Sequence, residues 1–232
     1  MTPPVPAWDG QDIRDLLALD EIATNTFRTR YGDANAHGRA YGGQILAQAL
    51  AAAARTVPVG RVATAMQFMF LQGTLHDQAV DLVVTLLQDG KRFSARHVRG
   101  IQGGGRLVFD AQVSYSIPID APAHAVAADF GPGEPESLPT IGDLPPDWAS
   151  AVAGSVGYQL ALKDVLDFRL VAPPPRLRLD AADARLRFWV CQTRVICTRP
   201  RSPTCRTGGS TTLRSVPTRT TRSKWAGCTS PA

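Results

Sequence analysis

Apolar positions recur along this 232-residue chain with two periods, one near two and one near 3.6. The helical period is clearest after Tyr41-Gly42-Gly43-Gln44, where Ile45, Leu46, Ala49, Leu50 and Ala53 make one apolar stripe on an otherwise alanine-rich segment. That composition predicts a helix buried nearly all round. A strand over Ile22 to Thr29 and a polar loop over Tyr31 to Arg39 precede it, and Gln11 to Asp20 reads as a polar helical turn.

Four strands are predicted after the helix. Val62 to Leu71 places Met66, Phe68 and Phe70 on one face, and Val80 to Gln88 does the same with Val80, Leu82, Val84 and Leu86. Asp89-Gly90 signals a hairpin into Lys91 to Ile101, where Arg92, Ser94 and Arg96 share a face predicted to be partly wet. After Gly103-Gly104-Gly105, Leu107, Phe109, Ala111, Val113, Tyr115 and Ile117 alternate strictly with polar residues. One helix and a meander of long antiparallel strands predict an α+β layer, a sheet curled around a buried helix.

Pro118 to Pro146 reads as a linker, with Gly-Pro-Gly-Glu-Pro-Glu at 131–136 opposing regular structure. A short helix is expected within Trp148 to Asp167, and an extended stretch from Phe168 through Pro175. Arg185 to Val190 reads as the opening strand of a second domain. The expected division is therefore an N-terminal domain over 1–118, a linking segment over 119–184, and the start of a second domain over 185–232.

Charge alters this picture only at the end of the chain. The whole carries 25 Lys+Arg against 20 Asp+Glu, a net +5. Residues 191–232 hold eight basic side chains and no acidic one, so residues 1–190 have 17 basic against 20 acidic, a net −3. The tail also holds all four cysteines (Cys191, Cys197, Cys205, Cys228) at spacings that fit no metal or redox motif, which predicts free thiols. The opening residues form no secretory signal and the longest apolar run, Ile45 to Ala54, is too short to span a bilayer, so a cytoplasmic protein without a membrane partner is expected. A basic tail without interleaved aromatics or a reading motif predicts only unspecific phosphate attraction, and nucleic acid is not an expected partner.

Several residues can carry chemistry. Gly42 and Gly43 at a helix start offer backbone N–H groups and the positive helix end to a carbonyl oxygen, or simply let the helix approach the sheet. Gln44 can contact a ligand or cap the helix. Phe93, Ser94 and Arg96 can line a ligand path, with Arg96 suited to phosphate, although an Arg on a wet strand face is usually only solvated. His37 and His97 have no paired carboxylate or second histidine at useful spacing, so neither a metal site nor a catalytic dyad is expected.

Taken in order, the Phe27 strand, Tyr41-Gly42-Gly43-Gln44-Ile45-Leu46-Ala47-Gln48-Ala49-Leu50, Met66-Gln67-Phe68-Met69-Phe70-Leu71, Asp89-Gly90-Lys91-Arg92-Phe93-Ser94-Ala95-Arg96 and the Ala111 to Tyr115 strand resemble the type II acyl-CoA thioesterases. The resemblance covers roughly residues 15–118, with thinner traces at Asp167-Phe168-Arg169 and Arg185 to Val190. It implies a double hotdog fold, hydrolysis of acyl-CoA by water at the interface of two hotdog units, and no cofactor. It also implies Gly42, Gly43, Gln44, Phe93, Ser94 and Arg96 as substrate-binding residues.

In that family a water-orienting Asp, a Ser or Thr, and a Gln lie in the second hotdog. None stands intact here, since no carboxylate follows Asp183. A frameshift after about Val190 accounts for this. Read one base out of phase, the overlaps from Pro203 through Gly209 and onward permit Tyr-Leu-Ser-Asp-Trp-Trp-Leu-Asn-Tyr, with the Asp at Arg206/Thr207. The overlap of Lys224 and Trp225 must give Met or Val, and Gly-Leu-Tyr-Val-Ala-Ser can follow, with its Ser near Pro231/Ala232 and the Gln expected beyond Ala232. The tail's +8 is then a coding artefact rather than a binding surface. Little thioesterase activity is expected of this chain, a non-catalytic acyl-CoA-binding hotdog is the alternative, and an uncovered sheet edge predicts self-association.

Overall fold

A computed structural model describes residues 3–35, 37–120, 122, 134–153, 165–173 and 188–192. Its centre is a six-stranded antiparallel sheet against one face of a helix. The elements run α1 (Ile13–Leu16), β1 (Leu19–Ala23), β2 (Thr26–Thr29), α2 (Gly42–Ala54), β3 (Val62–Phe70), β4 (Asp81–Asp89), β5 (Phe93–Gln102) and β6 (Arg106–Ser116). The strand order is β1-β2-β4-β5-β6-β3, so β1 and β3 form the two edges. This is the α+β arrangement predicted from the periodicity.

Cross-strand rows explain why the sheet folds onto α2. Val84, Val98, Ala111 and Phe68 stand in one row, and Leu82, Gly100, Phe109 and Phe70 in the next. Most of these side chains pack on Ile45, Ala49, Ala52 and Ala53 of α2. The small alanines let helix and sheet approach closely, and the large strand residues fill the space between them.

The details depart from simple periodicity at four places. The single strand expected over Ile22 to Thr29 is a hairpin, because Asn25 takes φ 54 and turns the chain between β1 and β2. The helix is not buried all round: Gln44, Ile45, Gln48, Ala49, Ala52 and Ala53 are its buried face, while Leu46 is exposed. Leu86, expected inside with Leu82 and Val84, is exposed where the β4 register shifts between Leu86 and Gln88. In β6 a bulge places Val108 and Phe109 both inside, which interrupts the alternation.

Beyond β6, Pro135–Ser137 and Ile141–Asp143 are single 3₁₀ turns inside the expected linker. Pro135 opens the first of these, a position that needs no backbone N–H donor. They are followed by α3 (Pro146–Ala153), where a short helix was expected near Trp148, and by β7 (Leu166–Leu170) and β8 (Phe188–Gln192). These last two strands pair antiparallel, with Phe168 and Phe188 rings 5.7 Å apart. The rest of the basic tail, with Cys197, Cys205 and Cys228, and the expected Arg185 strand start lie outside the described residues. No helix among the described residues is long and apolar enough to cross a membrane.

Candidate functional site

The start of α2 is held by the loop that precedes it. Two buried glutamines one turn apart tie the helix to this loop and to the end of α1: Gln44 Oε1 accepts from Asp33 N at 3.0 Å, and Gln48 Nε2 donates to Leu16 O at 2.7 Å. Both glutamines also donate to Tyr31 O at 3.4 Å. Within the loop, Asn35 Oδ1 accepts from the backbone N–H groups of His37 and Arg39, and Ala40 N donates to Thr74 O. Helix, loop and the Gln72–Thr74 segment are thereby fixed together.

Tyr41 is the N-cap residue, and no side chain caps the helix start. The first-turn dipoles of Gly42 and Gly43 therefore retain their attraction for an electron-rich atom. Beside them lies an open cleft of about 390 Å³, lined principally by Asn35, Arg39, Gly42, Ile45, Phe70 and Thr74. A Cβ added at Gly42 would meet the Phe70 ring at 3.4 Å, so the glycine keeps the mouth of the cleft clear. On the other side of the same helix turn a smaller cavity of about 190 Å³ has Leu16, Tyr41, Gly43 and Leu166 in its wall.

The six residues singled out from the sequence do not form one site. Gly42, Gly43 and Gln44 sit at the start of α2. Arg96 sits beside Thr56, just past its end, about 20 Å away along a 13-residue helix at 1.5 Å per residue, and Ser94 shares Asp89 with it. Arg96 also corrects the expectation of a wet strand face. Its side chain is fully buried, with Nε donating to Thr56 Oγ1 at 2.8 Å, Nη1 to Gln88 O and Ala95 O, and Nη2 to Thr56 O and both Asp89 oxygens. A guanidinium occupied in this way faces protein acceptors rather than a phosphate site open to solvent.

Ser94 is equally enclosed. Its hydroxyl donates to Asp89 and accepts from Arg61 Nη1 at 2.6 Å. The Ser94 hydroxyl, followed by Arg96, holds the Asp89 carboxyl below the usual carboxylate range. Burial pushes the nearby Tyr115 phenol up to about 12. Phe93, at the hairpin tip, is exposed.

Sequence reasoning missed two features. Thr74 and Arg39 reach the cleft from loops whose pairing no periodicity reveals. His97 does have a carboxylate partner, since its Nε2 lies 2.8–2.9 Å from both oxygens of Asp110 on the adjoining strand. Pairing across the Gly103–Gly105 turn sets Arg99 opposite Asp110 and His97 opposite Gln112, so the contact is diagonal and invisible to linear spacing.

Comparison with known proteins agrees with this geometry. Residues 31–116, which include the loop, α2 and the strands through β6, match the family model described as Acyl-CoA thioesterase N-terminal domain. Mouse acyl-coenzyme A thioesterase 8 is 24% identical over 184 residues, covering 77% of this chain and 57% of that protein. The acyl-CoA thioesterase II TesB2 of Mycobacterium marinum superposes with a TM-score of 0.60 at 19% identity, over 82% of this chain and 63% of that one. A hot dog fold protein of Alicyclobacillus acidocaldarius gives 0.59 at 15% identity, over 77% and 61%. The fold is thus a hotdog, and residues 31–116 of the chain are similar to the N-terminal domain of acyl-CoA thioesterases. It spans less than two thirds of the length of these relatives.

Proposed function

We propose that the cleft at the start of α2 binds the acyl-thioester end of acyl-CoA and that this chain hydrolyses it weakly or not at all. The observation that carries the reading is the uncapped helix start at Gly42, opening on the apolar wall of Ile45, Phe70 and Leu71. Helix-start N–H groups favour a carbonyl oxygen as it gains negative charge, and the apolar wall suits an acyl chain. Gln44 acts here as the anchor of the Asp33 loop, and the exposed Phe93 remains open to contact with the rest of the ligand.

Binding without hydrolysis is favoured by one fact of the sequence. No carboxylate follows Asp183, where the family resemblance requires the water-orienting Asp. The out-of-phase reading after about Val190 explains its loss, and sequencing the codons from Val190 to Thr198 tests that directly.

The expected result is saturable binding of a medium-chain acyl-CoA with CoA release near the uncatalysed rate, followed with a thiol reagent. Gly42→Val, which places methyl groups toward the Phe70 ring, is expected to weaken binding about tenfold, or about 1.4 kcal/mol. Robust turnover by this chain would overturn the weak-activity reading. Absence of saturable binding would overturn the site.

The outer edge of β3 is proposed to pair with a second copy of the chain. No described strand covers this edge, and Val62, Met69, Phe70 and Leu71 are all exposed on or beside it. Light scattering on the eluted protein is expected to give a mass above the 24.9 kDa monomer. Met69→Lys should shift the population toward monomer, whereas a monodisperse wild-type monomer would contradict the pairing.

A further inference from the structure

The cleft contains two polar groups that the thioester reading does not use. Thr74 is 3% exposed, and its Oγ1 is a buried side-chain oxygen without a hydrogen-bond partner. An unmade hydrogen bond of this kind is costly, and Thr74 is part of the cleft wall. Arg39 is the second group. A Cβ added at Gly73 would meet its Nε at 3.5 Å, so the side chain lies over that glycine, along the cleft. Its backbone N–H is bonded to Asn35, while its guanidinium makes no hydrogen bond or ion pair with the described residues.

We infer that Arg39, Thr74 and the start of α2 together hold the carboxylate of a free fatty acid, with its chain on Ile45, Phe70 and Leu71. The inference rests on the reading of this cleft as an acyl site and deepens it. A planar guanidinium can give a carboxylate two parallel N–H bonds, the helix start adds a positive dipole end, and the Thr74 hydroxyl supplies a further donor. Charge count favours a carboxylate over a phosphate. Among the described residues lining the cleft only Arg39 is charged, which balances a monoanion and leaves a dianionic phosphate or a diphosphate undercompensated. The apolar wall next to this single cation matches an amphiphile with one anionic oxygen pair. Such a site distinguishes a free acid from its neutral analogues, so Arg39 is a specificity-determining residue for the acid rather than a catalytic residue.

Equilibrium dialysis of the full chain against decanoate, kept below its micelle concentration, tests this, with decan-1-ol as the neutral probe. Decanoate is expected to bind at least about tenfold more tightly than decanol. Arg39→Gln should remove that advantage and leave decanol unchanged, Arg39→Lys should restore part of it, and Thr74→Val should weaken decanoate several-fold. Arg39 is exposed, so its replacement does not endanger the fold. Equal binding of the two probes, or unchanged decanoate binding by Arg39→Gln, would overturn the inference. It would also fail if free CoA displaced decanoate and Arg39→Gln reduced CoA affinity instead, because the guanidinium would then be reading phosphate. Neither measurement depends on turnover. Failure here with acyl-CoA binding that still responds to Gly42→Val would remove the carboxylate site alone; loss of both would remove the acyl site.

Discussion

Replacement of Arg96 by methionine should destabilise the N-terminal domain by roughly 2–4 kcal/mol, because the fully buried guanidinium is the donor to several backbone and hydroxyl acceptors at once, while its ion-pair partner Asp89 is open enough to be rehydrated. Methionine approximates the shape of the arginine stem and supplies no donor. Thr56 O, Thr56 Oγ1, Gln88 O and Ala95 O would all lose the donor they now share. Each acceptor left unsatisfied in a buried position costs about 1–3 kcal/mol, partly recovered where water or a second donor reaches it. These four atoms join the end of α2 to the β4–β5 hairpin, so their loss should loosen that end of the domain first.

The Arg28–Asp81 pair provides the comparison. Its geometry is good, with Nε–Oδ1 at 2.7 Å, but both side chains are partly open to water, and Arg28→Met should cost at most about 1 kcal/mol. Denaturant titration of the two variants separates a buried guanidinium from a half-exposed one, and equal losses would show that Arg96 is not a keystone. Acid adds a second readout. Because folding lowers the Asp89 pKa, its contribution is complete above the unfolded carboxylate pKa and fades as pH falls through the lower folded value. Arg96→Met should reduce this dependence without abolishing it, since the Ser94 hydroxyl, the larger cause, remains.

Arg96 also illustrates what patterning can and cannot reveal. Alternation locates β6 and the helical period locates α2 because each depends on one element and one face. Arg92, Ser94 and Arg96 read as a wet face because the acceptors that permit burial come from Thr56 and Gln88, residues in other elements. Leu46 and Gln48 show the same effect within one helix. Hydrophobicity puts Leu46 inside, whereas the Leu16 and Tyr31 carbonyls draw Gln48 there and set the helix rotation. The glycines at the helix start were legible as a candidate site. Their neighbours Arg39 and Thr74 were not, because both belong to irregular segments joined by the Ala40–Thr74 hydrogen bond.

Gly100→Ala is expected to cost about 3 kcal/mol, at the upper end of ordinary overpacking, and to weaken ligand binding in the distant cleft. Gly100 lies opposite Phe109, and an added Cβ would stand 2.1 Å from Phe109 Cε1 and 2.4 Å from Cδ1. The ring has little room to withdraw. It is fully buried and stacked on Phe68 at 4.6 Å, and Phe68 is in turn 4.6 Å from Phe70, which walls the cleft opposite Gly42. A displaced Phe109 therefore pushes along a row of three rings toward the proposed acyl site. Phe109→Leu in the same molecule removes Cε1 and Cζ and leaves a smaller branched side chain that can turn its Cδ atoms aside, so the double variant should be more stable than the sum of the two single losses implies. Additive losses would show that the strand backbone relieves the contact instead. Unchanged decanoate binding in Gly100→Ala would show that the aromatic row does not couple the sheet to the cleft.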